Sequence, residues 1–391
     1  MIMIYIICGF FVLISLLLIT IVGVDVFLYY RSVFYRIKIG RWTDRSNWLK
    51  NIQAVNLKWL KKTPTVKLTD NERYVVKDMI KGRYRSTTIQ SWQEAGVLFG
   101  ALLTDNAEEQ TKYFIDARID KNTRKWKNIP QHVDGAILAY ALTKTTENAI
   151  ELKPALDEII TLIENCKGDD GTVFYRDFIP DIRFVDTIGF ICPFLTFYGK
   201  NFDEPKYIDL AILQIKSYVE KALLKKPFLP AHAFEIKKNM PLGIYGWGRG
   251  SGWFIIGLID TYAELPEDHV DREYIKELIL KTAADLINFQ KPNGSFHSVL
   301  SIQTRHDSSI TTLAGLLFLT TYKITGEEKY YKAADNCVTS LMKVTRRDGV
   351  VDFCQGDTKG IGVYAETFDL MPFVQGLVIR LTTELENTTK K

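Results

Sequence analysis

The residues in this sequence best placed to do acid–base chemistry are two aspartates that each stand at the head of an apolar run. His132-Val133-Asp134 precedes Gly135–Ala141, and Arg183-Phe184-Val185-Asp186-Thr187 opens a second run. An aspartate at a helix start is most often a plain N-cap, accepting from the first free N–H groups. Two of them, 52 positions apart (186 − 134) and each opening an inner helix of one ring, would also project toward the same mouth. Paired carboxyls are what glycoside chemistry needs, one as proton donor and one to set its ionisation or assist a water.

Gly246-Trp247-Gly248-Arg249-Gly250-Ser251-Gly252-Trp253 is the most informative segment of the chain. Glycine lets backbone approach a ligand closely, Trp247 and Trp253 offer flat faces to a sugar ring, and Arg249 can grip a carboxylate with two parallel hydrogen bonds. A dinucleotide site is excluded, because the glycine spacing is not G-x-G-x-x-G after a strand and the tryptophans would obstruct a pyrophosphate. His232, in Pro230-Ala231-His232-Ala233-Phe234-Glu235, and Ser308, in His306-Asp307-Ser308-Ser309, are further candidates for substrate contact, as is His132. A single histidine is more often structural, and Ser308 and Ser309 could simply cap the next helix. No His/Cys/Asp cluster has metal-ligand spacing and no G-x-S-x-G elbow is present, so neither metal nor cofactor is implied.

These residues need elements to hold them, and the pattern is helical throughout. Ala95, Leu98, Phe99 and Leu102 recur at helical intervals within Ser91–Leu103, and similar stretches follow over 131–144, 149–166, 186–198, 206–224, 250–265, 271–290, 308–325, 328–344 and 363–383. With one or two earlier stretches this approaches a dozen helices, with no competing strand ladder. Three of them run into Asp170-Gly171, Asn293-Gly294 and Asp348-Gly349, pairs that tolerate positive φ in a tight turn, each before a short apolar segment. The glycines are 123 and 55 positions apart (294 − 171 and 349 − 294), close to two units and one unit of a helix pair. The expected fold is all-α, an (α/α)6 toroid of six helical hairpins over residues 46–391. A helical solenoid is the plain alternative, but its repeats are usually shorter.

The N-terminus has a different character. Met1 to Val24 carries no charged side chain, and the apolar run continues past Asp25 to Tyr30. At about 1.5 Å per residue, 24 helical residues reach roughly 36 Å, enough to cross a bilayer. A cleaved signal peptide would show a basic start and a small-residue cleavage site, neither of which is here. The expectation is a membrane anchor over residues 1–30 and a basic juxtamembrane linker over 31–45, with the lipid bilayer as partner. Arg31, Arg36, Lys38, Arg41 and Arg45 all follow the run, which predicts a single-pass protein of the cell membrane with its toroid in the cytoplasm. Five cysteines without C-x-x-C spacing agree weakly with that compartment. A net charge of +4, partly from this one cluster, does not argue for nucleic acid.

Trp247-Gly248-Arg249-Gly250-Ser251-Gly252-Trp253 resembles the W-x-R-G-N-G-W signature of the unsaturated rhamnogalacturonyl and glucuronyl hydrolases, glycoside hydrolase families 105 and 88. His232-Ala233-Phe234-Glu235 resembles their H-x-x-D element, and Asp307-Ser308-Ser309 their E-T-S element. Asp134 and Asp186 fall in the order of their two active-site aspartates. The resemblance spans about Gln131 to the C-terminus, with Ser251, Glu235 and Asp307 as departures. It implies a six-hairpin toroid acting on oligosaccharides or polysaccharide fragments that end in a 4,5-unsaturated uronic acid. By that resemblance Asp186 is the general acid/base that protonates C4, water adds at C5, and the hemiketal collapses to release the next sugar. Asp134 holds a charge that keeps Asp186 protonated, Arg249 binds the uronate carboxylate, Trp253 stacks on the ring, and His232 contacts substrate.

Two other classes remain open at this level. A toroid that merely binds polysaccharide would keep Trp247, Arg249 and Trp253 without needing either aspartate. Another carbohydrate-active toroid, such as a saturated-sugar glycosidase or an epimerase built on His232 and His306, is the remaining possibility.

Overall fold

The computed structural model describes residues 1–105, 107–145 and 149–389. In chain order its helices are α1 (Ile2–Arg36), α2 (Arg45–Lys61), α3 (Val75–Ile80), α4 (Ser91–Ala101), α5 (Ala107–Arg118), α6 (Gly135–Thr143) and α7 (Lys153–Asn165). After these come α8 (Val185–Asn201), α9 (Pro205–Lys221), α10 (Gly248–Glu264), α11 (Arg272–Leu286), α12 (Ser308–Thr325), α13 (Glu328–Lys343) and α14 (Pro372–Thr389).

Twelve of them form the double ring. α4, α6, α8, α10, α12 and α14 pack each against the next, and α14 returns to α4. These inner helices have no polar face to spare: every residue of α6 is buried, as is nearly every residue of α4. The outer set, α2, α5, α7, α9, α11 and α13, is amphipathic. In α9, Tyr207, Ile208, Ala211, Ile215 and Tyr218 are buried at spacings of one side of a helix, and its lysines face water. The first outer helix, α2, closes the ring by packing on both α4 and the final inner helix α14. At that closure α14 and α4 nearly touch backbone to backbone. A Cβ on Gly376 would lie 1.8 Å from the Gly96 carbonyl oxygen and 3.0 Å from the Val97 Cα, so only glycine fits.

Inner helices pass to outer ones by short connections, whereas outer helices return to inner ones by long ones. The long connections therefore all lie at the end of the ring where the inner helices begin. Each carries a small hairpin or bridge just after its outer helix: Lys67 with Arg85, Ile119 with Trp126, Lys167 with Val173, Leu223 with Pro230 and Thr345 with Val351. In the fifth connection Lys291 N–H donates to the Ser295 carbonyl. The three turns expected from sequence are among them, with Gly171, Gly294 and Gly349 at φ of 77°, 84° and 86°.

The long connections also hold the only regular strands among the described residues. β1 (Ile182–Phe184), β2 (Ala233–Glu235) and β3 (Met240–Leu242) form one antiparallel sheet, and β4 (Cys354–Gln355) pairs with β5 (Phe368–Asp369). Runs of two or three residues are too short to register as alternation. For the same reason the helix expected over 363–383 begins instead at Pro372. Residues 354–371 form a loop with the β4–β5 pair at its base, and Pro372, with φ fixed and no N–H to satisfy, starts the helix.

α1 is long and apolar enough to cross a membrane. Met1–Thr20 is exposed along its whole circumference, but from Ile21 onward one face (Val24, Asp25, Leu28, Ser32, Tyr35 and Arg36) is half-buried against the ring. Its end is anchored by charge. Arg36 donates twice to the Asp352 carboxylate, at 2.8 and 3.0 Å, and once to the Phe368 carbonyl at 2.9 Å. Arg346 shares that carboxylate at 2.6 Å, and Trp42 Nε1–H donates to the Arg346 carbonyl at 3.0 Å.

Candidate active site

The mouth of the ring gathers the first turns of the inner helices, and Asp134 and Asp186 both lie there. Asp134 precedes α6 but does not cap it. Its carboxylate instead meets the backbone N–H groups of Ser91 and Trp92, the open N-terminus of α4. Burial drives its pKa up to about 6, against the pull of Arg176 and of those N–H groups. Asp186 sits in the first turn of α8. Burial raises it further, to about 7, with Asp357 as the like charge adding to the rise and Arg249 opposing it. Its Oδ2 is buried without a hydrogen-bond partner. The resemblance casts Asp134 as the charge that keeps Asp186 protonated; burial is the main cause of the rise, with Asp357 a smaller like charge.

The W-x-R-G segment begins α10. Arg249 is 2% exposed. Its Nη1 donates to the carbonyls of Gln355 and Gly356 at 2.6 and 3.0 Å, and Nη2 lies 3.5 Å from Asp357 Oδ1. That Nη2 makes no hydrogen bond, so the arm facing Asp357 keeps N–H donors for a ligand. Trp247 Nε1–H donates to Gln355 Oε1 at 3.0 Å, and its ring lies 4.5 Å from His232 and 5.1 Å from Tyr364. β1–β2 pairing sets Phe184 opposite Ala233, and Val185 N–H donates to the His232 carbonyl, which brings His232 to the start of α8. Burial first and Arg249 second push the His232 imidazole down to about 4. It is neutral at pH 7, with Nδ1 unpaired.

Two side chains nominated from sequence have other duties in this structure. Trp253 is 2% exposed and packs among Trp92, Phe190 and Phe373 with ring centroids 4.7–5.6 Å apart. It forms the aromatic floor beneath the mouth and presents no free face for stacking, because it lies a full turn into α10. Ser308 is engaged by neighbouring groups: its hydroxyl donates to the Asp352 carbonyl at 2.5 Å and lies 3.0 Å from His306 Nε2. Asp307 caps α12 through Ser309. His132 is exposed, two residues before Asp134, and is lowered by partial burial and by Arg176.

Four participants escape a reading of helix starts. Tyr175, Arg176, Asp357 and Tyr364 come from the long connections after α7 and α13. The Tyr175 hydroxyl feels Asp134, Asp186, Asp357 and Arg176 together, which places the three carboxyls around one group. Arg176 Nη2 donates to that hydroxyl at 3.0 Å, while its Nη1 is buried and unpaired. Asp357 accepts from Gln90 Nε2 at 3.1 Å and thereby ties the α13–α14 loop to the head of α4. The sequence signal that could have found them is position: both loops follow an Asp-Gly hairpin on the mouth side.

Unpaired buried groups cluster here: Arg176 Nη1, Asp186 Oδ2, His232 Nδ1, Arg249 Nη2 and Ser251 Oγ. Groups left this way cost stability unless a ligand completes them. Two guanidinium arms, a neutral imidazole and a carboxyl that is half-protonated near pH 7 are a constellation for an anionic, hydroxyl-rich ligand and proton transfer to it.

Known structures share this architecture. A possible member of glycoside hydrolase family 105 from Salmonella enterica serovar Paratyphi A superposes with a TM-score of 0.72 at 18% identity, covering 87% of this chain and 94% of that one. A possible family 105 member from Klebsiella pneumoniae does so at 0.72 and 16%, over 89% and 95%. An unsaturated glucuronyl hydrolase of Bacillus sp. GL1, responsible for degradation of glycosaminoglycan, does so at 0.64 and 14%, over 87% and 96%. The family model described as Glycosyl Hydrolase Family 88 matches residues 58–389, a span that holds the last turn of α2, the other eleven ring helices and every residue of the site. The chain is a member of that family, a glycoside hydrolase.

Proposed function

We propose that the enzyme removes a terminal 4,5-unsaturated uronic acid from an oligosaccharide, with Asp186 as the proton donor. The observation that carries this reading is the state of Asp186: buried, raised to about 7, and with one oxygen unpaired at the mouth. Protonating carbon requires a neutral carboxylic acid at working pH, and burial supplies one. In the proposed reaction Asp186 gives its proton to C4 and positive charge develops at C5 and the ring oxygen. A water then bonds to C5, returning a proton to the Asp186 carboxylate. The C5 hemiketal opens by breaking the bond to the ring oxygen, and the hemiacetal left at C1 expels the next sugar.

The free arms of Arg249 and Arg176 suit the uronate carboxylate, one from α10 and one from the α7–α8 connection. Tyr364, half-buried and backed by the buried Trp247 and His232, is the ring against which a sugar can lie. Asp134, raised less than Asp186, is the group to orient the water in its ionised form. An epimerase would need paired histidines, and the two candidates have different surroundings: His306 has Lys291, His297 and Asp352 for charged neighbours, His232 has Arg249. A mere binding toroid has no use for a carboxyl held protonated.

The uncharged N-terminal stretch supports a membrane anchor, with the basic residues after it favouring a cytoplasmic toroid. The test of the reaction is loss of the ultraviolet absorbance of the conjugated double bond in unsaturated disaccharides. Turnover by the wild-type enzyme that vanishes in Asp186→Asn supports the proposal; no turnover across glucuronyl and rhamnogalacturonyl substrates by the folded enzyme sinks it.

A further inference from the structure

We propose that segment 69–85 is a second membrane contact, an interfacial patch for an anionic bilayer surface that holds the mouth-side face of the ring at the headgroup layer. The inference rests on the reading of α1 as a membrane span and goes beyond it, since a span alone fixes attachment but not which face of the enzyme meets the lipid.

The segment has the chemistry of an interface binder. Arg73, Lys77, Lys81, Arg83 and Arg85 are all exposed, and among the described residues none of the five is held in a salt bridge. The one acid within α3, Asp78, is already engaged by Thr69 and Asn71 at 2.8 and 2.7 Å. Among the basic residues stand Tyr74, Met79 and Ile80, exposed by 66%, 39% and 81%. Apolar tips flanked by lysine and arginine are the pattern that inserts shallowly while the cations meet lipid phosphates.

Position supplies the second argument. Asp25, the one charge within the apolar run, accepts from the backbone N–H groups of Tyr74 and Val75. The patch is thereby pinned to α1 where the helix leaves its uncharged stretch. Tyr29, Tyr30 and Arg31, about one turn further along α1, are exposed, as an aromatic belt with a basic flank would be. The segment belongs to the α2–α4 connection, hence to the mouth end of the ring. Asp70 joins it to the loop over the site, accepting from Glu366 and Thr367 N–H at 3.1 and 3.3 Å and pairing with Lys359. Phe178, Ile302 and Val363, each from another mouth-side connection, are also exposed, by 80%, 56% and 54%.

The full chain in phosphatidylcholine–phosphatidylglycerol vesicles tests this with a fluorescent thiol label and nitroxide-bearing lipids. Cys8 is exposed and the other four cysteines are buried, so wild type carries the label in α1. A Cys8→Ser chain with Ile80→Cys carries it in the patch, and one with Val270→Cys, 89% exposed in the α10–α11 connection, at the opposite end. Expected are deep acyl-chain quenching at Cys8 and headgroup-level quenching at Ile80→Cys several-fold above that at Val270→Cys. Adding Lys77→Glu and Lys81→Glu should at least halve the patch signal and leave Cys8 unchanged. Quenching at Ile80→Cys no greater than at Val270→Cys, with Cys8 quenched, overturns the patch while the anchor stands. An unchanged patch signal after the charge reversals overturns the anionic surface as its partner. An unquenched Cys8 removes the anchor, and the patch proposal with it.

Discussion

Asp186 and Asp134 are poised by burial, and their ionisations set the expected pH dependence. An acid raised by burial is neutral below its pKa, so proton donation from Asp186 is present below about 7 and lost as pH rises through it. If Asp134 acts ionised, activity also falls as pH drops through about 6, and kcat/KM should trace a narrow bell between the two. Asp186→Asn should lower kcat by about 10²–10⁴-fold, the range for loss of a positioned acid, with KM changed little. Arg176→Ala should raise KM by roughly tenfold or more, as expected for a lost charge-assisted contact, with melting temperature near wild type; an unchanged KM would show that the uronate does not reach this arm. Asp134, Asp186, Trp247 and Arg249 could be nominated because they stand at or just before helix starts, where a ring fold must converge, and His232 through the motif it resembles. Arg176 and Asp357 were not, since a loop has no periodicity to place its side chains. Trp253 misled because its distance from Arg249, one helical turn, carries it below the mouth, and Ser308 because a serine at a helix head bonds to nearby backbone as readily as to a ligand.

At the scale of elements, the helices could be read because outer ones are amphipathic and inner ones are long apolar runs broken by turn residues. α14 could be read only in part: the apolar 363–371 segment continues the helical composition, and Pro372 is the physical boundary. The closure of the ring was not visible at all, because nothing in Gly96 or Gly376 announces that their backbones meet. Gly376→Ala should cost about 1–3 kcal/mol or more by overpacking, since the obstruction is the Gly96 carbonyl and the Val97 backbone, which cannot rotate away. A thermal melt checks it, and a wild-type melting temperature would mean that α4 and α14 can part there freely.

Across the whole molecule, the end of α1 is part of the enzyme's structure. Arg36 enters a carboxylate buried beneath the α13–α14 loop, the same loop that gives Arg249 its two carbonyls and supplies Asp357. Deleting residues 2–20 removes only exposed helix and should leave the melting temperature unchanged in detergent. Deleting residues 2–40 strips Asp352 of one of its two arginines and should lower both stability and kcat/KM, with Arg36→Ala reproducing much of the loss, about 1–3 kcal/mol for a hydrogen-bonded charge left short of a partner. Equal melting curves for the two deletions would show that the stalk merely rests on the ring.

The most direct measurement is the pH profile of unsaturated-disaccharide turnover, followed by loss of double-bond absorbance, in wild type and Asp186→Asn side by side. The account predicts wild-type turnover that declines above about pH 7 and a variant slower by about 10²–10⁴-fold throughout. A variant that retains activity within about tenfold of wild type, or a wild-type rate still climbing well above pH 7, would contradict Asp186 as the proton donor.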